Sequence, residues 1–150
     1  MNNPITIAVD AMGGDDSPNK VIEGINLHSK KSQYVNYKIF GNTNLIKPLI
    51  KKYNLPNDRV NTIHTDKVVE NNDSALTAAK RGKDTSLWLA VESLKKNETD
   101  AMVSAGNTGA LFLISKLNLK MIDNIDKPAL SALWPSQKGM NVVLDLGANI

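Results

Sequence analysis

Close to the N-terminus, the run Ile5-Thr6-Ile7-Ala8-Val9 reaches Asp10 and passes straight into Ala11-Met12-Gly13-Gly14-Asp15-Asp16. A short apolar run without alternation reads as a strand buried on both faces, and glycines directly behind it mark a tight turn. Ser17 and Pro18 follow as N-cap and first helical residue. The helix they open is predicted to carry Val21, Ile22, Ile25 and Leu27 inward, with Lys20, Glu23 and Lys30 outside. This strand, loop and helix unit is the strongest constraint on the fold, because it recurs.

Tyr37 to Phe40 reads as a second strand, stopped by Gly41-Asn42. Leu45, Ile46, Leu49 and Ile50 then give helical spacing up to Tyr53, and Leu55-Pro56-Asn57-Asp58 breaks it. Val60 to His64 is a third, half-polar strand, followed by a charge- and amide-rich loop from Thr65 to Ser74. Ala75 to Lys80 is a short helix. Asp84-Thr85-Ser86 caps another, which holds Leu87, Leu89, Ala90, Val91 and Leu94. Ala101 to Ser104 is a fourth strand that opens into Ala105-Gly106-Asn107-Thr108-Gly109 and a helix through Leu117. Ala129 to Trp134 and Val142 to Leu146 read as the last two strands.

Strands alternating with helices imply right-handed crossovers and a mainly parallel sheet covered on both faces, a three-layer α/β/α fold. The sequence stops at Gly147-Ala148-Asn149-Ile150, just past a predicted strand and without the helix that a parallel strand needs as cover. Residues 1–150 therefore read as the N-terminal portion of a single larger domain, incomplete at the C-terminus.

Composition narrows the chemistry. The absence of cysteine excludes disulfide scaffolds, cysteine-held zinc and a cysteine nucleophile. No group of His, Asp and Glu has metal-ligand spacing, so no metal and no cofactor is expected. The net charge is only +3, Arg59 and Arg81 are the sole arginines, and aromatics make up 5%. Nucleic-acid binding is disfavoured on that account. Met1-Asn2-Asn3-Pro4 has no basic signal-peptide start, and the apolar stretch from Gly109 to Met121 contains Lys116 and Lys120. A cytoplasmic protein is expected, with peripheral contact to a membrane left open.

Ligands of open α/β sheets bind outside the carboxyl ends of strands. Two loops have that position and unusual glycine density: Val9 to Asp16 and Ser104 to Ala110. Successive N–H groups of such turns, backed by a helix N-terminus, form an anion site. One glycine loop alone is better explained as a tight turn; two in one sheet, each with Asn, Thr, Ser or Asp, shift the balance towards the site. Neither loop carries a dinucleotide fingerprint or a phosphate-loop Gly-Lys-Ser/Thr, which disfavours a nicotinamide dehydrogenase or a nucleoside triphosphatase. Ser104 lacks the glycines of a nucleophile elbow, which disfavours a covalent serine mechanism.

IAVDAMGGD, NDSALTAAKRGKDTS, SAGNTGALF, IDKPAL and VVLDLGAN stand in the order and spacing of the bacterial phosphate acyltransferase (PlsX) family. The resemblance covers Ile5 to Asn149. It implies a fold similar to phosphotransacetylases and to isocitrate and isopropylmalate dehydrogenases. It also implies transfer of a fatty acyl chain from acyl carrier protein to inorganic phosphate, giving acyl phosphate for phospholipid synthesis. Phosphate is itself a nucleophile, so such an enzyme must supply an anion cradle, alignment and oxyanion stabilisation.

On this resemblance Asn107, Thr108 and Asp10 are the expected catalytic residues. Gly13, Gly14, Asp15, Ser104, Gly106, Gly109, Lys127, Asp145 and Asn149 are the expected phosphate and substrate contacts. Asn107→Ala is expected to cut turnover and leave folding nearly intact. Asp16 stands where relatives usually have histidine, and Lys127 where they often have arginine, which forfeits bidentate recognition. Lys80, Arg81 and Lys83 read as a solvated face or a docking patch for acidic carrier protein. Asp73 and Ser74 read as active-site rim or helix cap, and His28 and His64 as structural. Leu111, Phe112, Ile114 and Leu117 read as helix core. A homodimer and a downstream membrane acyltransferase are implied partners. Two other readings stay open: a phosphotransacetylase-like enzyme using acyl-CoA, and a non-catalytic fragment that binds a partner.

Overall fold

The computed structural model describes residues 4–147. Strand β1 (Ile5–Asp10) lies inside a four-stranded parallel sheet of order β3-β2-β1-β4, completed by β2 (Val35–Gly41), β3 (Val60–His64) and β4 (Ala101–Val103). Helices α1 (Asn19–Lys31) and α2 (Thr43–Lys52) form the first two crossovers, and α3 (Ala75–Lys80) and α4 (Ser86–Lys95) precede β4. Helix α5 (Thr108–Asn118) follows it.

Strand alternation decides which helix covers which face. Val9, Tyr37 and Ile39 point one way and bury Ile22 and Ile25 of α1 with Ile46 of α2. Ala8 and Phe40 point the other way, against Ala90 of α4. Behind α4, a second apolar layer joins Ala78 of α3 and Leu87, Trp88 and Val91 of α4 to Ala110 and Ile114 of α5. The chain is therefore an α/β/α sandwich with a mainly parallel sheet, as the alternation of elements predicts.

Three expectations change in detail. Helix α1 begins at Asn19 with Pro18 as its N-cap and no side-chain cap bond, because the Ser17 hydroxyl donates back to the Gly13 carbonyl at 2.6 Å. Leu27 and Leu117 are exposed. Leu27 falls about 200° around its helix from buried Ile25, and Leu117 about 100° from buried Asn118, beside the α5 stripe of Ala110, Ile114 and Asn118. The last two strands do not extend the parallel sheet. Strands β5 (Ser131–Ser136) and β6 (Gly139–Leu144) form a separate antiparallel hairpin, with Leu133 opposite Val142 and Pro135 opposite Met140. A parallel pair needs a crossover of a dozen or more residues, and Gln137-Lys138 can only make a turn. Leu133, Met140, Val142 and Leu144 are exposed on that hairpin. Among the described residues no helix is long and apolar enough to cross a membrane.

Candidate active site

The order β3-β2-β1-β4 means that the chain builds outward from β1 on one side, then crosses to place β4 on the other. At such a switch point the loops after the two strands diverge and leave a crevice at the carboxyl edge. The loops after β1 and β4 are the two glycine loops. Helix α1 leaves over one face of the sheet and α5 over the other.

The loops meet through a buried carboxylate. Asp10, 3% exposed, accepts the Ser104 hydroxyl at 2.7 Å and the Met12 N–H at 3.3 Å. The Ser104 hydroxyl oxygen in turn accepts the Gly106 N–H at 3.1 Å. Gly13 sits on this network with no room for a side chain: a Cβ there would lie 2.6 Å from the Asp10 carboxylate, 2.8 Å from Ser104 Oγ and 2.9 Å from the Gly106 nitrogen. Gly14, at φ +92°, lies so close that a Cβ would be 2.7 Å from the Ala105 carbonyl oxygen. These glycines let main chain pack on main chain.

Above the contact lies a concavity of about 410 Å³, with Gly14 and Asp15 on one side and Ala105 through Gly109 on the other. Asn71, from the loop after β3, closes the third side, and its amide donates to the Asp15 carboxylate at 3.1 Å. The first N–H groups of a helix lack intrahelical acceptors. In α5, Asn107 Oδ1 accepts the Ala110 N–H at 2.9 Å, while the Thr108 and Gly109 N–H groups have no acceptor among the described residues. The helix opens with no acidic side chain in its first turn, so its positive end faces the concavity undiminished. Beside the Asp15 carboxylate, which is held by Asn71, the site offers a cradle of main-chain donors, suited to a small oxyanion.

The side chain of Asn107 is committed elsewhere. Besides capping α5, its Nδ2 donates to the Asn71 carbonyl at 3.1 Å and to the Asp73 carbonyl at 2.8 Å. It fastens the third wall to the helix, so Asn107→Ala is predicted to cost stability as well as turnover, where the sequence alone suggests nearly intact folding. Asp73 serves the same wall: its carboxylate accepts the Glu70 N–H at 2.8 Å and pairs with Arg81 at 3.0 Å. Ser74 caps α3. Arg81 is thus bound within the chain, while Lys80 and Lys83 are exposed. His28 bonds Tyr37 Oη, and His64 bonds Thr43.

Asp10, Gly13, Gly14, Asp15, Ser104, Gly106, Asn107, Thr108 and Gly109 all come together. Lys127 and Asp145 do not join them: Lys127 lies exposed between α5 and β5, and Asp145 follows β6, its N–H donating to the Leu130 carbonyl. Both sit on the segment that forms the hairpin instead of a further parallel strand. Asn149 lies outside the described residues. Asn71 is the residue that sequence reading passed over; its signal is the amide-rich loop after a strand of the same sheet, which points to the site only once the strand order is known. No group of three or more potential ligands is found among the described residues.

The family model described as fatty acid synthesis protein matches residues 5–150. The chain belongs to that family. Over its whole length it is 59% identical to a phosphate acyltransferase of Pelagibacter ubique, of which it spans 44%. It is 42% identical to the phosphate acyltransferase of Parvibaculum lavamentivorans and 40% identical to that of Azorhizobium caulinodans, spanning 42% of each. The family resemblance carried by the two glycine loops therefore holds for the whole chain, and the chain spans less than half the length of these relatives.

Proposed function

We propose that the protein to which this chain belongs transfers a fatty acyl group from a thioester on acyl carrier protein to inorganic phosphate. The observation that carries the reading is the contact of two glycine loops at the switch point, with α5 presenting unpaired N–H groups to a small concavity. Family membership supplies the class of reaction, acyl transfer.

Hydrogen phosphate bound in the cradle attacks the thioester carbonyl. A phosphate oxygen bonds to the carbonyl carbon, the carbon–sulfur bond breaks, and the hydrogen of the phosphate leaves with the thiol. No covalent enzyme intermediate is required. The Gly109 and Thr108 N–H groups hold the phosphate or the developing oxyanion, an arrangement in which loss of one donor costs about 10²–10³ in rate. Neutral donors suit an anionic nucleophile, because they bind it without the tight ion pair that would blunt its attack. Asp10 acts beneath the surface: by accepting both Ser104 and Met12 it fixes the spacing of the loops. The acyl phosphate is amphipathic, which fits a soluble enzyme working beside a membrane whose acyltransferase consumes the product.

The test is formation of hydroxylamine-reactive acyl phosphate by the full-length protein, with carrier-protein and CoA thioesters compared as donors. The reading expects phosphate-dependent product with the carrier-protein donor preferred. A preference for CoA would assign the phosphotransacetylase-like activity instead, and no product from either donor would remove acyl transfer.

A further inference from the structure

A second cavity, about 350 Å³, runs along the α1 face of the sheet between α1 and β4. Its floor is Ile7, Val9 and Val103, which share a face because Val9 and Val103 are register partners. Its wall is one stripe of α1, from Lys20 through Val21, Gly24 and Ile25 to His28. From Lys20 to His28, eight residue steps, the helix rises about 12 Å. The upper end is lined by Asp10, Ser104 and Ala105, and Ala105 also lines the loop concavity, so the two cavities lie side by side. The lower end is closed by Tyr37, whose hydroxyl lies 2.6 Å from His28 Nδ1.

The contents are sorted by polarity. The middle of the groove is aliphatic; the end nearest the loops carries Lys20, which has no ion-pair partner among the described residues. A ligand complementary to this arrangement has an apolar tail and an anionic or strongly polar head. Gly24 gives an independent indication. Glycine is disfavoured inside a helix, and here no neighbour demands it, since a Cβ at this position would meet nothing within 4 Å. What the missing side chain provides is open groove.

Resting on the acyl-transfer reading above, we infer that this groove holds the acyl chain of the donor and that Gly24 sets the length it accepts. The thioester carbonyl lies at Ala105, beside the phosphate cradle, and the methyl end lies toward Tyr37 and His28.

The experiment compares the full-length protein with its Gly24→Phe and Glu23→Phe variants on donors from butyryl to palmitoyl. Gly24→Phe puts a ring at a position that lines the groove, whereas Glu23→Phe puts the same bulk at an equally exposed position outside the lining. The expected result is a loss of at least about tenfold in kcat/KM for palmitoyl with Gly24→Phe, butyryl turnover retained, and an unaltered chain-length profile for Glu23→Phe. Displacement of a fluorescent fatty acid, weakened in Gly24→Phe only, reads the groove without turnover. An unchanged profile, or an equal loss on all donors, overturns the inference and leaves acyl transfer standing. Changed stability or self-association without a changed profile also overturns it, by assigning the groove to another segment or a second copy. Fatty-acid binding that depends on Gly24, without acyl phosphate from any donor, keeps the groove and removes the transfer reading.

Discussion

Gly13 is fixed by contact. With a carboxylate, a hydroxyl and a backbone nitrogen all within 2.9 Å of where its Cβ would be, Gly13→Ala must push the two loops apart. Overpacking of this kind destabilises by about 1–3 kcal/mol, to be read as a lower urea midpoint, and phosphate affinity should fall with it. Asn107 separates two jobs that its position combines. Asn107→Ala removes cap and tether together, and loss of the cap alone costs about 0.5–2 kcal/mol. Asn107→Asp keeps the oxygen that caps Ala110 but loses both donors to the Asn71 and Asp73 carbonyls. It should therefore unfold later than Asn107→Ala while binding phosphate worse than wild type, as calorimetry with and without phosphate would show. The sequence marks Asn107 as a catalytic residue because a cap amide and a substrate-facing amide look alike in a helix-start motif. Only the carbonyls brought over from the loop after β3 tell them apart.

At the scale of elements, the buried stripes were legible where period and hydrophobicity agreed, as at Ile22 and Ile25, and misleading at Leu27, where an apolar residue sits off the stripe. Helix α1 offers two checks. An exposed mid-helix Gly24→Ala should raise stability by about 1 kcal/mol, the difference in helix propensity, visible as a higher urea midpoint. Its partner strand offers a pH test. Burial pushes the Tyr37 phenol above its ordinary value of 10.0, with Arg59 opposing more weakly. The folded state thus holds this proton more tightly than the unfolded chain, so the stabilisation is complete below about pH 10 and is lost as pH rises through the folded value. Urea midpoints should fall more steeply between about pH 9 and pH 11 in wild type than in Tyr37→Phe; parallel profiles would show that Tyr37 titrates as it does in the unfolded chain.

For the molecule as a whole, alternation of strands and helices was enough to reach a parallel α/β/α sheet, because each period maps onto one element. Strand order was not encoded locally. That β1 and β4 are neighbours, so that their loops touch, depends on packing of α4 under Ala8 and Phe40, a contact remote in sequence. The pairing of β5 with β6 is, by contrast, encoded locally: the short turn at Gln137-Lys138 permits only an antiparallel neighbour, whatever the alternation of elements suggests. Asp145, expected at the carboxyl edge of the parallel sheet, follows the hairpin strand β6 instead. What remains at the centre is a main-chain cradle at the β1 and β4 loop contact. Amide ¹H–¹⁵N shifts of the full-length protein during titration with inorganic phosphate address it directly. Saturable shifts concentrated at Gly14, Gly106, Thr108 and Gly109, absent with equal chloride, are predicted; shifts that are missing there, or that chloride reproduces, would contradict the account.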